Sequence, residues 1–214
     1  MVDCLPMTAL DLQGATYIDT NLPLTAQFRK SWSASAWIQI DDGVPSGGNN
    51  VILGTHNDDS DRVLCYIGTG GKLSFLYQSH GTSIYAVENE SSFMDSTNNW
   101  RHITFTMEYI ASDDARMKLY VDGIEQSSIS DTNNYDYSGT VYIGRDADCG
   151  STFFQGFISN VRITKGQAIY TSNFTPSTEP LTTSSQGATP SNVKLLCCQS
   201  NTSATAAAVT PGTI

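Results

Sequence analysis

The sequence predicts an all-β fold: two antiparallel sheets packed face to face as a β-sandwich, a single domain with an irregular C-terminal tail. Three observations predict it. Short segments alternate apolar and polar side chains with the period of a strand. Clusters of Gly, Asp and Asn separate these segments, and such residues supply the positive φ and local hydrogen bonds of turns. No segment sustains a helical period, and no repeat of about 20 to 50 residues is visible, which excludes solenoids and propellers.

The elements follow in order. Leu10 and Leu12 form a short strand leading to Gly14, and residues 15–20 (ATYIDT) a better one. Residues 22–30, with Pro23, read as a polar surface connection. In SWSASAWIQI, Trp32, Ala34, Ala36, Ile38 and Ile40 share one face and Ser33, Ser35, Trp37 and Gln39 the other. The small alanines leave room for large neighbours from a facing sheet. DDGVPSGGNN cannot continue a ladder, and residues 51–53 resume it before an acidic tip at 55–62. Residues 63–67 and 73–77 form a hairpin through Gly68, Gly70 and Gly71, and residues 83–87 offer a further strand. WRHITFTME puts Ile103, Phe105 and Met107 on one face. MKLYV and residues 124–128 are joined by Asp122-Gly123, a strong type I′ turn signal.

The chain is organised around residues 140–174. A strand with Val141 and Ile143 leads through an acidic loop (Asp146, Asp148, Gly150) into a second apolar strand, residues 154–163. A compact turn then ends in an aromatic plug of Ile169, Tyr170 and Phe174. Residues 175–192, rich in Ser, Thr and Pro, make a long surface connection, and VKLLCC closes the sheet.

Composition narrows the function. Net charge is −10, with a pI near 4.5, so the averaged field repels nucleic acid and anionic membranes. Arg29 and Lys30 are the only adjacent cations, and no basic stripe offsets that field. No run of about 18 apolar residues suggests a membrane span, and the N-terminus lacks a signal-peptide pattern. Synthesis in a cytosol is expected, so the sequons at Asn89, Asn173 and Asn201 carry no weight. Five cysteines without CxxC spacing argue against a disulfide framework or a structural zinc site. Adjacent Cys197 and Cys198 point to opposite faces if they lie in a strand, and Cys4 could lie near one of them.

The run from IGRD through FQGFISNVRITKG to AIYTSNFTP resembles laminin G-like, or concanavalin A-like, jelly-roll modules, above all those of tailed-bacteriophage structural proteins. SASAWIQID, WRHITFTM, MKLYVDGIEQ and VKLLCCQS match in the same order, so the likeness spans roughly residues 10–200. It implies a jelly-roll domain over residues 1–200; the low-complexity tail, residues 201–214, is expected to dock on a partner, because such an end is rarely ordered unless something holds it. It also implies a non-enzymatic virion protein, a capsid decoration or a tail or head fibre component, made in the host cytoplasm and exposed on the particle surface. Partners would be other virion proteins, capsid or tail subunits, or further copies of the chain. The alternative is a glycan-binding adhesin that attaches to host surface polysaccharide. Neither nucleic acid nor membrane is an expected partner.

Candidate sites follow. Glycosidic cleavage usually needs two carboxyls across the substrate, and the retaining glucanases of this fold carry them in an ExDxxE strand. No such string occurs, and Glu88 and Glu90 read as loop acids. His56, His80 and His102 lie in unrelated contexts, without a G-x-S-x-G elbow, so catalysis is not expected. The tryptophans sit in strand patterns and read as core. Tyr135 and Tyr137, in a loop of Asp, Asn and Ser, are the better sugar platforms, with Tyr85 and Phe153 behind them. No cofactor is required. Laminin G-like modules often hold calcium at the sandwich rim, and Asp146 and Asp148 could present two carboxylates to it.

Overall fold

A computed structural model describes residues 9–12, 16–24, 31–41, 48–58, 61–79, 81–87, 93, 99–111, 114–131, 139–146, 152–199 and 208–210. Thirteen strands lie among them. They are β1 (Leu10–Leu12), β2 (Ile18–Leu24), β3 (Trp32–Ile40), β4 (Asn50–Asp58), β5 (Asp61–Ile67), β6 (Leu73–Ser79) and β7 (Thr82–Val87). Then come β8 (Arg101–Ala111), β9 (Asp114–Val121), β10 (Ile124–Asp131), β11 (Gly139–Ile143), β12 (Gly156–Lys165) and β13 (Val193–Cys197). One sheet has the order β1-β12-β3-β8-β9-β10, with β13 also paired to β12. The other runs β2-β11-β4-β5-β6-β7, and every pairing is antiparallel.

The core lies where alternation puts it. Trp32, Ala34, Ala36, Ile38 and Ile40 of β3 are all buried, facing Val63, Cys65 and Ile67 of β5 and Leu73 and Phe75 of β6 across the sandwich. Phe75 meets the rings of Trp32 and Phe105 edge-on, each at 5.6 Å between centroids. Asp122 and Gly123 both take positive φ, 50° and 80°, as the type I′ turn between β9 and β10 requires.

Two boundaries differ from the sequence expectation for physical reasons. Pro23 sits inside β2 because β2 is an edge strand, where the missing N–H costs no ladder bond. The acidic stretch after Leu53 continues β4 to Asp58 instead of forming a broad tip. Thr55 there is wholly buried, and its hydroxyl accepts the Val63 N–H at 3.1 Å.

On the second face of β3, Ser33 and Ser35 are buried as well and Trp37 and Gln39 half-buried, because residues 166–192 lie over it as a strap. Arg162, 1% exposed, anchors the strap by donating to the carbonyls of Thr182 (3.1 Å) and Ser185 (2.7 Å) and to the Tyr170 hydroxyl (2.9 Å). Ser33 Oγ accepts Ile169 N–H at 2.9 Å, Asn160 Oδ1 accepts Leu181 N–H at 3.0 Å, and Gly123 O accepts Phe174 N–H at 2.9 Å. Tyr170 and Phe174 stack at 4.0 Å, and Phe174 sits edge-on to His102 and Tyr120, both at 5.6 Å. The aromatic plug read from the sequence is thus the lid over the outer face of the β3-containing sheet.

At the C-terminal end, Val209 bridges to Leu196, with Leu196 N–H donating to Val209 O at 3.0 Å. Among the described residues of the tail, 208–210, this pairing is made with the chain's own β13. The opposite-face expectation for the cysteine pair fails. β13 ends at Cys197, and Cys198, at φ 60°, turns back so that both thiols are buried with their sulfurs 3.3 Å apart. Cys4 lies outside the described residues.

Candidate functional site

With the middle of one outer face covered by the strap, an open aromatic surface lies on the other sheet, at the β2–β11 rim. Val141 and Ile143 point inward and are fully buried, so Tyr142 between them points outward. It stands opposite Asp19 of β2 and Gly54 of β4. The chain then leaves β11 through Gly144, whose φ of 87° favours glycine and whose N–H donates to Ile52 O at 2.8 Å. That bend brings Arg145 opposite Phe153 in an isolated bridge, closed by Phe154 N–H on Gly144 O (2.9 Å) and Asp146 N–H on Thr152 O (3.2 Å). The bridge lies directly on β4. A Cβ at Gly54 would stand 2.4 Å from the Arg145 carbonyl oxygen, so only glycine lets the rim approach this closely.

The result is one cluster. The Arg145 guanidinium lies over the ring of Tyr17 at 4.3 Å and of Tyr142 at 5.1 Å. Tyr17 is edge-on to Tyr142 at 6.1 Å and tilted toward Phe153 at 6.4 Å. Tyr17 remains 41% exposed, enough ring face to accept a flat ligand. Each such cation–ring contact is worth about 0.5–1 kcal/mol at an exposed site, which holds the rings in place before anything binds. Beside them Asp146 is buried, with Arg62 Nη1 4.0 Å from its carboxylate, while Arg62 Nε donates to Gln78 Oε1 at 2.8 Å. Stacking surface and polar side chains together can take the apolar face of a pyranose and hydrogen-bond its hydroxyls.

Of the residues singled out by sequence, Phe153 and Asp146 belong to this cluster. The backbone of Tyr85 lies on β7, paired with Leu76 of β6, and β7 is four strands from β11, roughly 19 Å away at the usual strand spacing of about 4.8 Å. Tyr135, Tyr137 and Asp148 lie outside the described residues. Sequence reading missed Tyr17, Tyr142, Arg145 and Arg62. The signal for Tyr142 was present, because an aromatic between two inward β-branched residues must face outward. The approach of Tyr17 and Arg145 depends on the bend at Gly144, which no local pattern announces.

Among the described residues no group of three His, Cys, Asp or Glu side chains stands together to hold a metal ion. The Asp146 carboxylate already faces Arg62. The described residues therefore do not by themselves complete a calcium ligand set, which needs six or more oxygens. His102 is buried beneath the strap, between the rings of Trp37 (5.2 Å) and Phe174 (5.6 Å), far from any role as an exposed base.

A family model described as the concanavalin A-like lectin/glucanases superfamily matches residues 12–168. No curated protein matches the sequence. Among solved structures, the heptameric SAP-like pentraxin of Limulus polyphemus is similar at a TM-score of 0.52 and 15% identity, over 87% of this chain and 82% of that one. The CBM40 of the Ruminococcus gnavus IT-sialidase, bound to α2,3 sialyllactose, gives 0.57 and 11%, over 75% and 91%. Domains LG4-5 of the mouse laminin α1 chain give 0.53 and 14%, over 80% of this chain but 48% of that one. At these identities the likeness is one of fold.

Proposed function

Because this chain belongs to the concanavalin A-like lectin/glucanase superfamily, we propose that it is a non-catalytic carbohydrate-binding module whose contact surface is the β2–β11 rim. The observation that carries the reading is the Tyr17–Arg145–Tyr142 stack on a face its own strap leaves open. A structural neighbour that binds a sialylated sugar supports the ligand class. In this reading the rings take the sugar face, while Arg62, which Asp146 neighbours, and Gln78 supply hydrogen-bonding groups at its edge. Wild type is expected to bind on a glycan array. Tyr142→Ala is expected to weaken the best hit roughly tenfold or more, the loss of at least about 1.4 kcal/mol that truncating an aromatic anchor brings. An array without any hit for the wild type removes the proposal.

A second reading, a decoration or fibre component on a virion surface, rests on the sequence resemblance to phage modules and is compatible with the first. Detecting the protein by mass spectrometry in purified particles tests it. Calcium at Asp146 and Asp148 is likewise a proposal that rests on the sequence of that loop. It requires a higher Tm in excess calcium than in EDTA, since a ligand selective for the native state raises stability, and equal temperatures remove it.

A further inference from the structure

Cys197 and Cys198 are adjacent, both buried, and turned toward one another by the left-handed backbone at Cys198, with Sγ···Sγ at 3.3 Å. The turn is fixed from outside the pair. Cys197 pairs with Val161 in the ladder, and the Cys198 carbonyl accepts Asn160 N–H at 3.2 Å. The next residue, Gln199, donates to Asn160 Oδ1 (3.0 Å) and Leu181 O (2.8 Å), so the same turn also ties down the strap.

We propose that Cys197 and Cys198 are a reversible modification site, closing to a disulfide between neighbouring residues by exchange with a low-molecular-weight disulfide. The sulfurs have to close by about 1.2 Å to reach bonding distance, with the adjoining backbone adjusting as the ring forms. The hydrogen bond to Cys197, together with burial, pushes the Cys198 thiol up. One thiol of the pair, having lost its proton to solvent, displaces one thiolate from the small disulfide and forms a mixed disulfide. The other thiol then loses its proton to solvent, attacks the first protein sulfur and expels the second thiolate. Two protein thiols are oxidised, one small disulfide is reduced to two thiols, and the electrons balance.

Adjacent Cα atoms are about 3.8 Å apart, short of the roughly 4.4–6.8 Å that relaxed disulfides span, so the bond is readily reduced again. It closes almost no loop, so it adds little chain-entropy stabilisation, and redox state is the informative readout.

The test uses the full chain equilibrated in buffers from reduced to oxidised glutathione, acid-quenched, unfolded, alkylated with iodoacetamide and mapped by mass spectrometry. The expected result is a single transition in which the peptide holding both cysteines loses two alkyl adducts and two hydrogens, reversed by dithiothreitol. Cys65, buried on β5 in the other sheet, with burial pushing its thiol well up, stays alkylatable as the internal control. Cys198→Ser is expected to abolish the transition. Both thiols remaining alkylatable in the most oxidising buffer, even with sub-denaturing urea to open the site, overturns the proposal. Pairing with Cys4 or with a second chain overturns it equally.

Discussion

Lowering the pH from 7 toward 3 is expected to remove roughly 4–5 kcal/mol of stability through one side chain, His102. Burial, and then the positive charge of Arg162, hold its imidazole down to about 3 from an ordinary 6.5. Above pH 6.5 the ring is neutral in both folded and unfolded chains and contributes nothing to the pH dependence. Below 6.5 the unfolded chain takes up a proton that the native state refuses, so stability falls by about 1.4 kcal/mol per pH unit until about pH 3. Among the described residues, the groups around the ring offer no carboxylate to offset this. They are Arg162, Trp37, Phe174, Tyr170 at 6.5 Å and the Thr104 hydroxyl at 3.5 Å. Asp122 meets the His102 backbone N–H at 2.8 Å, and its other oxygen is taken by Arg101 at 2.6 Å. Denaturant titrations at pH 7, 5 and 4 check the expectation: wild type should lose more than His102→Gln by about 1.4 kcal/mol for each unit below 6.5. Parallel losses in the two proteins would mean that the ring charges in the native state.

Phe75→Ala is expected to cost about 3–5 kcal/mol, and roughly 10 °C in Tm for a chain of this size. Phe75 is fully buried on β6 and sends its ring across the sandwich between Trp32 of β3 and Phe105 of β8, so it ties one sheet to the other. Its removal forfeits the apolar transfer energy, two edge-on ring contacts and the density of a core already lined by Ala34 and Ala36. Thermal melts monitored by near-UV circular dichroism measure it. Phe75→Leu should recover most of the loss, because a branched aliphatic side chain fills much of the same space. A cost below about 1 kcal/mol would mean the two layers are held together elsewhere.

Most of the architecture was legible because it depends on period-two alternation and turn residues, both local signals. β3, the β9–β10 hairpin and the Tyr170–Phe174 plug follow from their own few residues. The extension of β2 through Pro23 was not legible, because edge position is a property of the sheet and not of the segment. The rim was legible in part. The sequence singled out Phe153 as a backing aromatic and Asp146 as a calcium candidate, whereas Tyr17 meets Phe153 from more than a hundred residues away. Tyr85, in the strand read at residues 83–87, lies on the edge strand far from β11. The cysteine pair was misread because alternation holds only while the backbone stays extended, and it stops at Cys198.

The strap over residues such as Arg162 and His102 has a consequence for how this molecule can diversify. Its anchoring polar side chains, although on the outside of a sheet, are as constrained as any interior residue, and most of the segment they hold lies past the shared region ending at 168. Drift in sequence is therefore unevenly tolerated: the part of one surface under the strap is frozen by its own cover, while a changed tyrosine at the opposite rim disturbs none of these anchors.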